Sequence, residues 1–298
     1  MIHLHTKKII ITTDFSETAS LAIKHGAFLA QYTKGEIYLV HIITKHWEKF
    51  NVFTPSITLE NIEKASDAVQ LKLDELANDI KKEYGVAVTT VVNSGNPTSE
   101  IVKFAKEINA DLIVMGTHGY SAWEDLTIGS NTLKVITKSP CPVLTMSERA
   151  EKLGYHKIIL PIDTSEHTRH KVIATLELAK QFVAHVYVVG LLAADESNKK
   201  HAMETILSQI TKAAADRNVA CSTELIENVK NRAVTTVSYS EKIGGDLISI
   251  MTDQDAELSG FFLGPYSLQV IHHSKVPVLS FKPEGQGDNF NLQMLAGT

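Results

Sequence analysis

The sequence predicts an α/β protein of two tandem domains, each built on a five-stranded parallel sheet with helices on both faces. Its 298 residues suggest two domains at about 150 residues each. The segment KIIITTDFSE at residues 8–17 returns as KIILPIDTSE at residues 157–166. Short, nearly continuous apolar runs alternate with helical patterns, which is typical of a parallel sheet buried on both faces.

The internal repeat extends over most of the chain. Residues 111–146 and 246–281 share 12 identities in 36 positions without a gap. The offset between the copies falls from 149 to 135 along the chain, so the second copy is 14 residues shorter in its middle. We expect a first domain at residues 1–148, a second at 149–282 and a C-terminal tail at 283–298.

Each predicted element follows from hydrophobic periodicity and its flanking residues. Asn96 and Pro97 are typical of a helix start, as N-cap and first helical residue. Sheets of this class bind ligands beyond the carboxyl ends of their strands, so we expect function after strands one, two and four. The first copy has predicted strands at 8–13, 36–43, 86–92, 111–115 and 141–146, and helices at 17–32, 58–84, 96–109 and after Gly129.

Composition excludes several classes of function. A formal net charge of −5 argues against a nucleic-acid partner, whose binding surface would be basic. No apolar run approaches the roughly 18 residues of a membrane span, and no apolar leader follows Met1. We therefore expect a cytoplasmic protein without a membrane partner. Cys141 and Cys221 fit neither zinc nor redox spacing, and we expect them to be buried free thiols in a reducing compartment.

A glycine pattern follows the fourth strand. Gly116 and Gly119 are separated by two residues, and nine further residues lead to Gly129 and Ser130 at a helix start. Backbone amides in such a turn and at a helix N-terminus favour anions such as nucleotide phosphates. The alternative is that these glycines only make tight turns. The second glycine pair, placed where this fold class binds ligands, favours phosphate binding.

Two polar residues are candidates beside this loop. Asp14 ends the first strand, where a carboxylate accepts hydrogen bonds from ribose hydroxyls or an adenine amine; the alternative is an N-cap for the next helix. His118 lies between the two loop glycines, either as a donor facing phosphate or as an ordinary loop histidine.

No motif of a known catalytic machinery accompanies these residues. The chain lacks a P-loop Gly-Lys-Ser/Thr, a GxGxxG fingerprint and a GxSxG nucleophile elbow. The His3/His5 and His272/His273 pairs have no acidic or cysteine company at metal-ligand spacing, so we expect no metal site. The pattern favours binding over turnover, and we assign no catalytic residue.

At these residues the chain resembles the universal stress protein family. ATP-binding members carry a glycine, two residues, a second glycine, nine residues, and then glycine with serine or threonine. Further matches are TDFSE at 13–17, VHI at 40–42, GNP at 95–97 and SPCPVL at 139–144. The resemblance covers about residues 8–146 and 156–281 and implies an adenine nucleotide alpha hydrolase-like fold.

The resemblance also implies a ligand and its contacts. The expected cofactor is ATP or another adenine nucleotide, with or without Mg²⁺. Thr12 stands where many members have proline, a small departure after which contacts from its backbone are still possible. The implied adenine and ribose contacts are Thr12, Thr13, Asp14 and Ile42, and those around ribose and phosphates are Met115, Gly116, His118, Gly119, Gly129, Ser130 and Asn131.

Single-domain members commonly dimerise through their fifth strands, so a tandem chain is expected to form such a dimer internally. This implies that residues 141–146 pair with residues 276–281. A further homodimer is left open.

The second copy departs from the pattern at the loop. Met251, Gln254 and Pro265 stand where the first copy has Gly116, Gly119 and Ser130, although Gly264 and Asp163 are kept. Side chains then occupy the space that phosphate needs, and proline removes an amide donor. The GNP segment at 95–97 is read as replaced by residues 227–229. We expect nucleotide binding only in the first domain.

The leading hypothesis is a stress-response regulator that binds ATP in its first domain and hydrolyses it weakly or not at all. One alternative is a slow ATPase or phosphoryl-handling enzyme that uses His118. The other is a tandem scaffold for protein interactions that binds no nucleotide.

Overall fold

The computed structural model describes residues 6–44, 59–117, 128–165, 167–252 and 264–282. The chain divides into two compact units, with the division between Cys141 and Pro142. The first unit contains the described residues up to Cys141, and the second contains those from Pro142 onward.

The first unit is a parallel sheet with strand order β3-β2-β1-β4. The central strand β1 is an apolar run whose three middle residues are fully buried, as expected for a strand covered on both faces. Its elements are β1 Lys8–Thr12, α1 Glu17–Thr33, β2 Glu36–Ile43, α2 Leu59–Tyr84, β3 Ala87–Ser94, α3 Pro97–Glu107, β4 Leu112–Gly116 and α4 Ser130–Lys138.

The second unit begins with the last strand of the first repeat and continues with the whole second repeat. Its elements are β5 Val143–Met146, β6 Lys157–Ile162, α5 Lys171–Phe182, β7 His185–Leu191, α6 Lys200–Ala215, β8 Ala220–Ile226, α7 Arg232–Ile243, β9 Leu247–Met251, α8 Pro265–His273 and β10 Val278–Phe281. The strands β10-β9-β6-β7-β8 are parallel to one another. Within the described residues each repeat thus supplies five strands, and the predicted α/β fold is confirmed.

Strand β5 pairs antiparallel with β10 inside the second unit. The register places Thr145 opposite Val278 and Val143 opposite Ser280. All residues of both strands are buried. The predicted pairing of the two fifth strands is therefore confirmed, and it explains why the unit division precedes β5.

An aspartate that both repeats share belongs to the scaffold. The Asp111 carboxylate accepts hydrogen bonds from the backbone amides of Lys7 and Lys8 at the start of β1. Asp246 bonds the amides of residues 156 and 157 in the same way at the start of β6. These aspartates cap the amino ends of their strands, which is the end of the sheet opposite the expected ligand edge.

The shortening of the second repeat lies between its second and third strands. Helix α2 has 26 residues, whereas the corresponding α6 has 16. The loss therefore leaves the strands that frame the ligand edge intact.

Both cysteines are free thiols, as expected, but each is only half-buried, so the expectation of burial was wrong. Cys141 lies in the turn before β5, where its amide donates to the Ser139 hydroxyl, and Cys221 lies on the edge strand β8. Partial burial nevertheless raises the pKa of both thiols to about 11. Within the described ranges, no helix is both long and apolar enough to span a bilayer.

Candidate functional site

The carboxyl ends of β2, β1 and β4 lie side by side in the first unit. Strand β1 is in the middle, with Thr12 opposite Val40 on β2 and Ile11 opposite Val114 on β4. The pairing with β2 continues one residue past β1, where the Thr13 amide donates to the Val40 carbonyl at 2.9 Å. The predicted ligand edge is therefore formed by the segments that the sequence singled out.

The turn after β1 presents Asp14 at this edge. The Asp14 carboxylate is exposed and accepts a hydrogen bond from the Ser16 amide at 3.1 Å. Ser16, not Asp14, is the N-cap of α1, because its hydroxyl accepts from the Ala19 amide. The capping alternative for Asp14 is therefore wrong, and its carboxylate lies at the strand end where a ribose contact is implied.

The second half of the site is formed by β4 and the start of α4. The Thr132 hydroxyl donates to the Gly116 carbonyl at 3.0 Å, and the Gly129 amide donates to the Thr117 carbonyl at 2.8 Å. These two bonds tie the start of the helix to the end of the strand. Gly129 is the N-cap of α4 and makes no side-chain capping bond, so the first amides of the helix remain donors for a ligand or water.

The backbone angles of Gly116 and Gly129 test the alternative that these glycines are present only to make tight turns. Gly116 is the last residue of β4, in extended backbone, and Gly129 has φ −56° and ψ 135°. Any residue adopts these conformations, so neither position needs glycine for its dihedral angles. What both glycines share is the missing side chain, which lets another group approach the backbone closely.

The remaining predicted contacts fall around these two halves. Thr13 and Met115 are buried, Thr12 and Ile42 are half-buried, and Ser130 and Asn131 are exposed in the first turn of α4. His118 and Gly119 lie outside the described residues, so their roles stay predictions.

The second repeat keeps the aspartate at the end of its first strand, but this aspartate accepts hydrogen bonds from residues of its own turn. Asp163 Oδ1 accepts three hydrogen bonds, from the Ser165 amide, the Ser165 hydroxyl and the Thr168 hydroxyl, at 2.8, 2.6 and 3.0 Å. Because the Ser165 hydroxyl bonds Asp163, it does not cap the helix, and α5 begins only at Lys171 after a 3-10 turn. This carboxylate oxygen is committed to its own turn.

Other substitutions change the same edge of the second repeat. Met251 ends β9 where Gly116 ends β4, and Pro265 is the first residue of α8, where it offers no amide donor. The Ser267 hydroxyl still donates to the Met251 carbonyl at 2.8 Å, as Thr132 does in the first repeat. The strand-to-helix tie is thus kept in both repeats, while the glycine at the strand end is not. Gln254 lies outside the described residues.

The start of α5 also differs in charge from the start of α1. At the offset of 149, Arg169 and Lys171 replace Ser20 and Ala22, and both cationic side chains are buried. The two repeats therefore present different polar surroundings at equivalent strand ends.

The start of α7 shows that one prediction for the second repeat was wrong. The residues equivalent to Asn96 and Pro97 are Asn231 and Arg232, not positions within 227–229. Asn231 is the N-cap of α7, and its side chain accepts from the Val234 amide at 3.0 Å, as Asn96 does for α3 at 3.1 Å. The second repeat therefore keeps the helix cap. The cap was missed in the sequence because the offset between the repeats changes by two residues just before it.

The structure adds three residues to the first site that were not among the predicted contacts, although two of them, His41 and Phe15, lie within the matched segments VHI and TDFSE. His41 Nδ1 lies 2.8 Å from the Thr13 carbonyl oxygen, and its ring stacks on Phe15 with centroids 4.9 Å apart. The Lys72 ammonium lies 4.1 Å from the centre of the Phe15 ring. Burial lowers the pKa of His41 below its usual 6.5, against the opposing effects of the Thr13 bond and Asp14.

In the part of the chain that the structure describes, a metal ion lacks a cluster of ligands, and a cavity lies in the second unit. Among the described residues, no group of three His, Cys, Asp or Glu side chains could hold a metal ion. A cavity of about 310 Å³ in the second unit is lined by α7, Gly245 and Ile248 at the amino end of β9, and Ser274. The cavity thus lies at the amino ends of the second unit's strands, not at the carboxyl ends where Met251 and Pro265 lie.

Comparison with known proteins agrees with this architecture. Universal stress protein MJ0577 of Methanocaldococcus jannaschii is 34% identical over 155 residues, covering 48% of this chain and 96% of that protein. YxiE of Bacillus subtilis is 30% identical over 142 residues, 46% of this chain and 96% of that protein. A universal stress protein structure from Archaeoglobus fulgidus is similar over 93% of this chain and 98% of its own, with TM-score 0.75 and 18% identity.

A profile of the universal stress protein family matches the chain twice, at residues 5–146 and 154–282. The two matches coincide with the two repeats and together cover most of the sequence. The chain is therefore a tandem member of the universal stress protein family.

Proposed function

We propose that the chain binds ATP or another adenine nucleotide at the carboxyl edge of the first unit, one molecule per chain, and acts as a stress-response regulator without fast turnover. The observation that carries this proposal is Gly116. Its backbone is extended and does not require glycine, and the same position in the second repeat is Met251. The missing Cβ is best explained by a ligand that approaches the backbone there.

The start of α4 supplies the phosphate half of the site. Its uncapped amides and the positive end of the helix dipole favour an anion, and the exposed side chains of Ser130 and Asn131 add polar groups in the same turn. Gly129 alone does not argue for a ligand, because Gly264 is retained at the equivalent cap of the second repeat. Gly116 and the uncapped start of α4 together support phosphate binding at this edge.

The β1–β2 side supplies the adenine and ribose half. The exposed Asp14 carboxylate is an acceptor suited to ribose hydroxyls, and the half-buried Ile42 offers apolar surface to a base. An accompanying Mg²⁺ would be held chiefly by nucleotide phosphates, as Mg²⁺ commonly is, because the described residues contain no carboxylate cluster around this edge.

Calorimetry of the purified chain with ATP tests the proposal. We expect wild-type protein to bind and Gly116→Val to abolish binding, since a branched side chain would stand where the phosphates approach. Gln254→Ala is the matched control in the second repeat and should bind like wild type. Absence of any adenine-nucleotide binding by wild-type protein would refute the proposal and favour a scaffold function.

A further inference from the structure

A histidine at the end of β2 bonds to the turn that forms one side of the proposed site. His41 Nδ1 lies 2.8 Å from the Thr13 carbonyl oxygen. Because a carbonyl only accepts, Nδ1 carries the proton, and in the neutral ring Nε2 is the unprotonated nitrogen. The same ring stacks on Phe15, with centroids 4.9 Å apart and an interplanar angle of 29°. His41 therefore contacts the residues on both sides of Asp14.

The turn that His41 contacts has an uncommon backbone conformation. Phe15 has φ +66°, which is rare for a bulky side chain and is kept only where the surroundings determine it. Its amide donates to the Thr13 hydroxyl at 3.0 Å, and its ring lies between contacts with His41 and the Lys72 ammonium. Loss of the His41 contacts would therefore loosen the turn that presents Asp14.

The charges around His41 oppose one another. Asp14, from the turn after β1, favours a protonated ring, and Lys72, from α2, disfavours it. On β3 the residue opposite His41 is Val92, which carries no charge. Burial is the largest effect and lowers the pKa of His41, so the neutral ring is the resting form at neutral pH.

The second repeat lacks this arrangement. At the offset of 149, Gly190 stands in place of His41 and Thr164 in place of Phe15. A Cβ built on Gly190 would lie 3.0 Å from the Met203 side chain and 3.2 Å from Leu207. Helix α6 thus packs directly on this strand end, and the histidine is present only where the phosphate loop is also kept.

We propose that His41 is a positioning residue of the nucleotide site and that protonation of its ring weakens nucleotide binding, an inference that rests on the proposed function. A base placed over the end of β2 would cover the ring further and penalise its charged form. A charged ring would also attract the Asp14 carboxylate and compete with the ribose.

Attraction to the phosphates does not offset these effects. The phosphate half of the site is on β4, and β1 lies between β4 and β2. With neighbouring strands about 4.8 Å apart, His41 is about 10 Å from that half, which is about one Debye length at 0.1 M salt. Desolvation by contrast acts locally on the ring.

The test compares ATP affinity between pH 5.5 and 8 by calorimetry for full-length wild type, His41→Gln and His41→Ala. Glutamine can still donate to the Thr13 carbonyl but does not titrate, and the ionisation of ATP itself is common to all samples. We expect wild type and His41→Gln to differ by less than about threefold at pH 8. At pH 5.5 wild type should lose about two- to fivefold more affinity than His41→Gln, because a bound pKa one below a free pKa under 6.5 takes only partial effect at that pH.

His41→Ala should bind more weakly than wild type at pH 8, because the carbonyl and Phe15 lose their partner. His185→Gln is the matched control: this histidine stacks on Tyr187 in the second unit, and its removal should leave the wild-type pH profile unchanged. Parallel pH profiles of wild type and His41→Gln would overturn the role of His41 while leaving nucleotide binding intact. Wild-type protein that binds no ATP at any pH would instead overturn the proposed function.

Discussion

Replacing Thr132 by valine should loosen the proposed phosphate loop without leaving a cavity. The Thr132 hydroxyl is buried and donates to the Gly116 carbonyl at 3.0 Å. Valine has nearly the same shape, so the change removes the donor and leaves the carbonyl without that bond. A buried acceptor that loses its partner costs about 1–3 kcal/mol, and we expect the free energy of unfolding to fall by about 1–2 kcal/mol.

The same change should also weaken ATP binding, because the end of β4 is no longer tied to the start of α4. If most of the lost free energy also reduces binding, the dissociation constant for ATP rises by about tenfold, since 1.4 kcal/mol corresponds to a factor of ten. Chemical denaturation and calorimetry measure the two effects on the same samples.

The second repeat offers a matched control for this experiment. Ser267 makes the equivalent bond to the Met251 carbonyl and is fully buried. Ser267→Ala should lower stability by a similar amount and leave ATP affinity unchanged. Unaltered ATP affinity in Thr132→Val, or equal losses of affinity in both variants, would refute the assignment of the loop to the first repeat.

Two further variants test the asymmetry and the electrostatics. Asp163→Ala should lower the free energy of unfolding by about 2–3 kcal/mol, because three donors lose their acceptor, and it should leave ATP affinity unchanged. Asp14→Ala should instead lower ATP affinity. A loss of ATP affinity in Asp163→Ala, with unchanged affinity in Asp14→Ala, would contradict the proposal. Burial alone would raise the pKa of Glu196, but hydrogen bonds from the Ala193 amide, Lys199 and Arg232 lower it to about 2. The ionised Glu196 carboxylate contributes at most about 2 kcal/mol to stability; this contribution is present above pH about 4.5 and is lost as the pH falls toward 2. In acid denaturation, the stability difference between wild type and Glu196→Gln should therefore shrink over that interval. A difference that stays constant would exclude this contribution.

The fold was predictable because its signals are local and repeated. Apolar strands such as β1 and the Asn96-Pro97 helix start give the element order directly. The pairing of β5 with β10 followed from family resemblance, not from periodicity. The N-cap at Asn231 was missed because the offset between the two repeats changes in the preceding loop, whose sequence differs between them.

The site was predictable where residue type alone carries the chemistry, as for Gly116 and Asp14. His41 was not singled out, because its importance depends on a bond to the Thr13 carbonyl and a stack on Phe15. The difference between the hydrogen bonds of Asp14 and Asp163 could not be predicted either, since both stand in the same Asp-x-Ser sequence. Only the structure shows that Asp163 is engaged by Ser165 and Thr168.

The asymmetry between the repeats is tested most directly by the stoichiometry of ATP binding to the full chain, measured by calorimetry at saturating nucleotide. One molecule bound per chain in wild type, and none in Gly116→Met, is the expected result, because that substitution copies the second repeat into the first. Two molecules per chain, or undiminished binding by Gly116→Met, would contradict a single site at the carboxyl edge of the first unit.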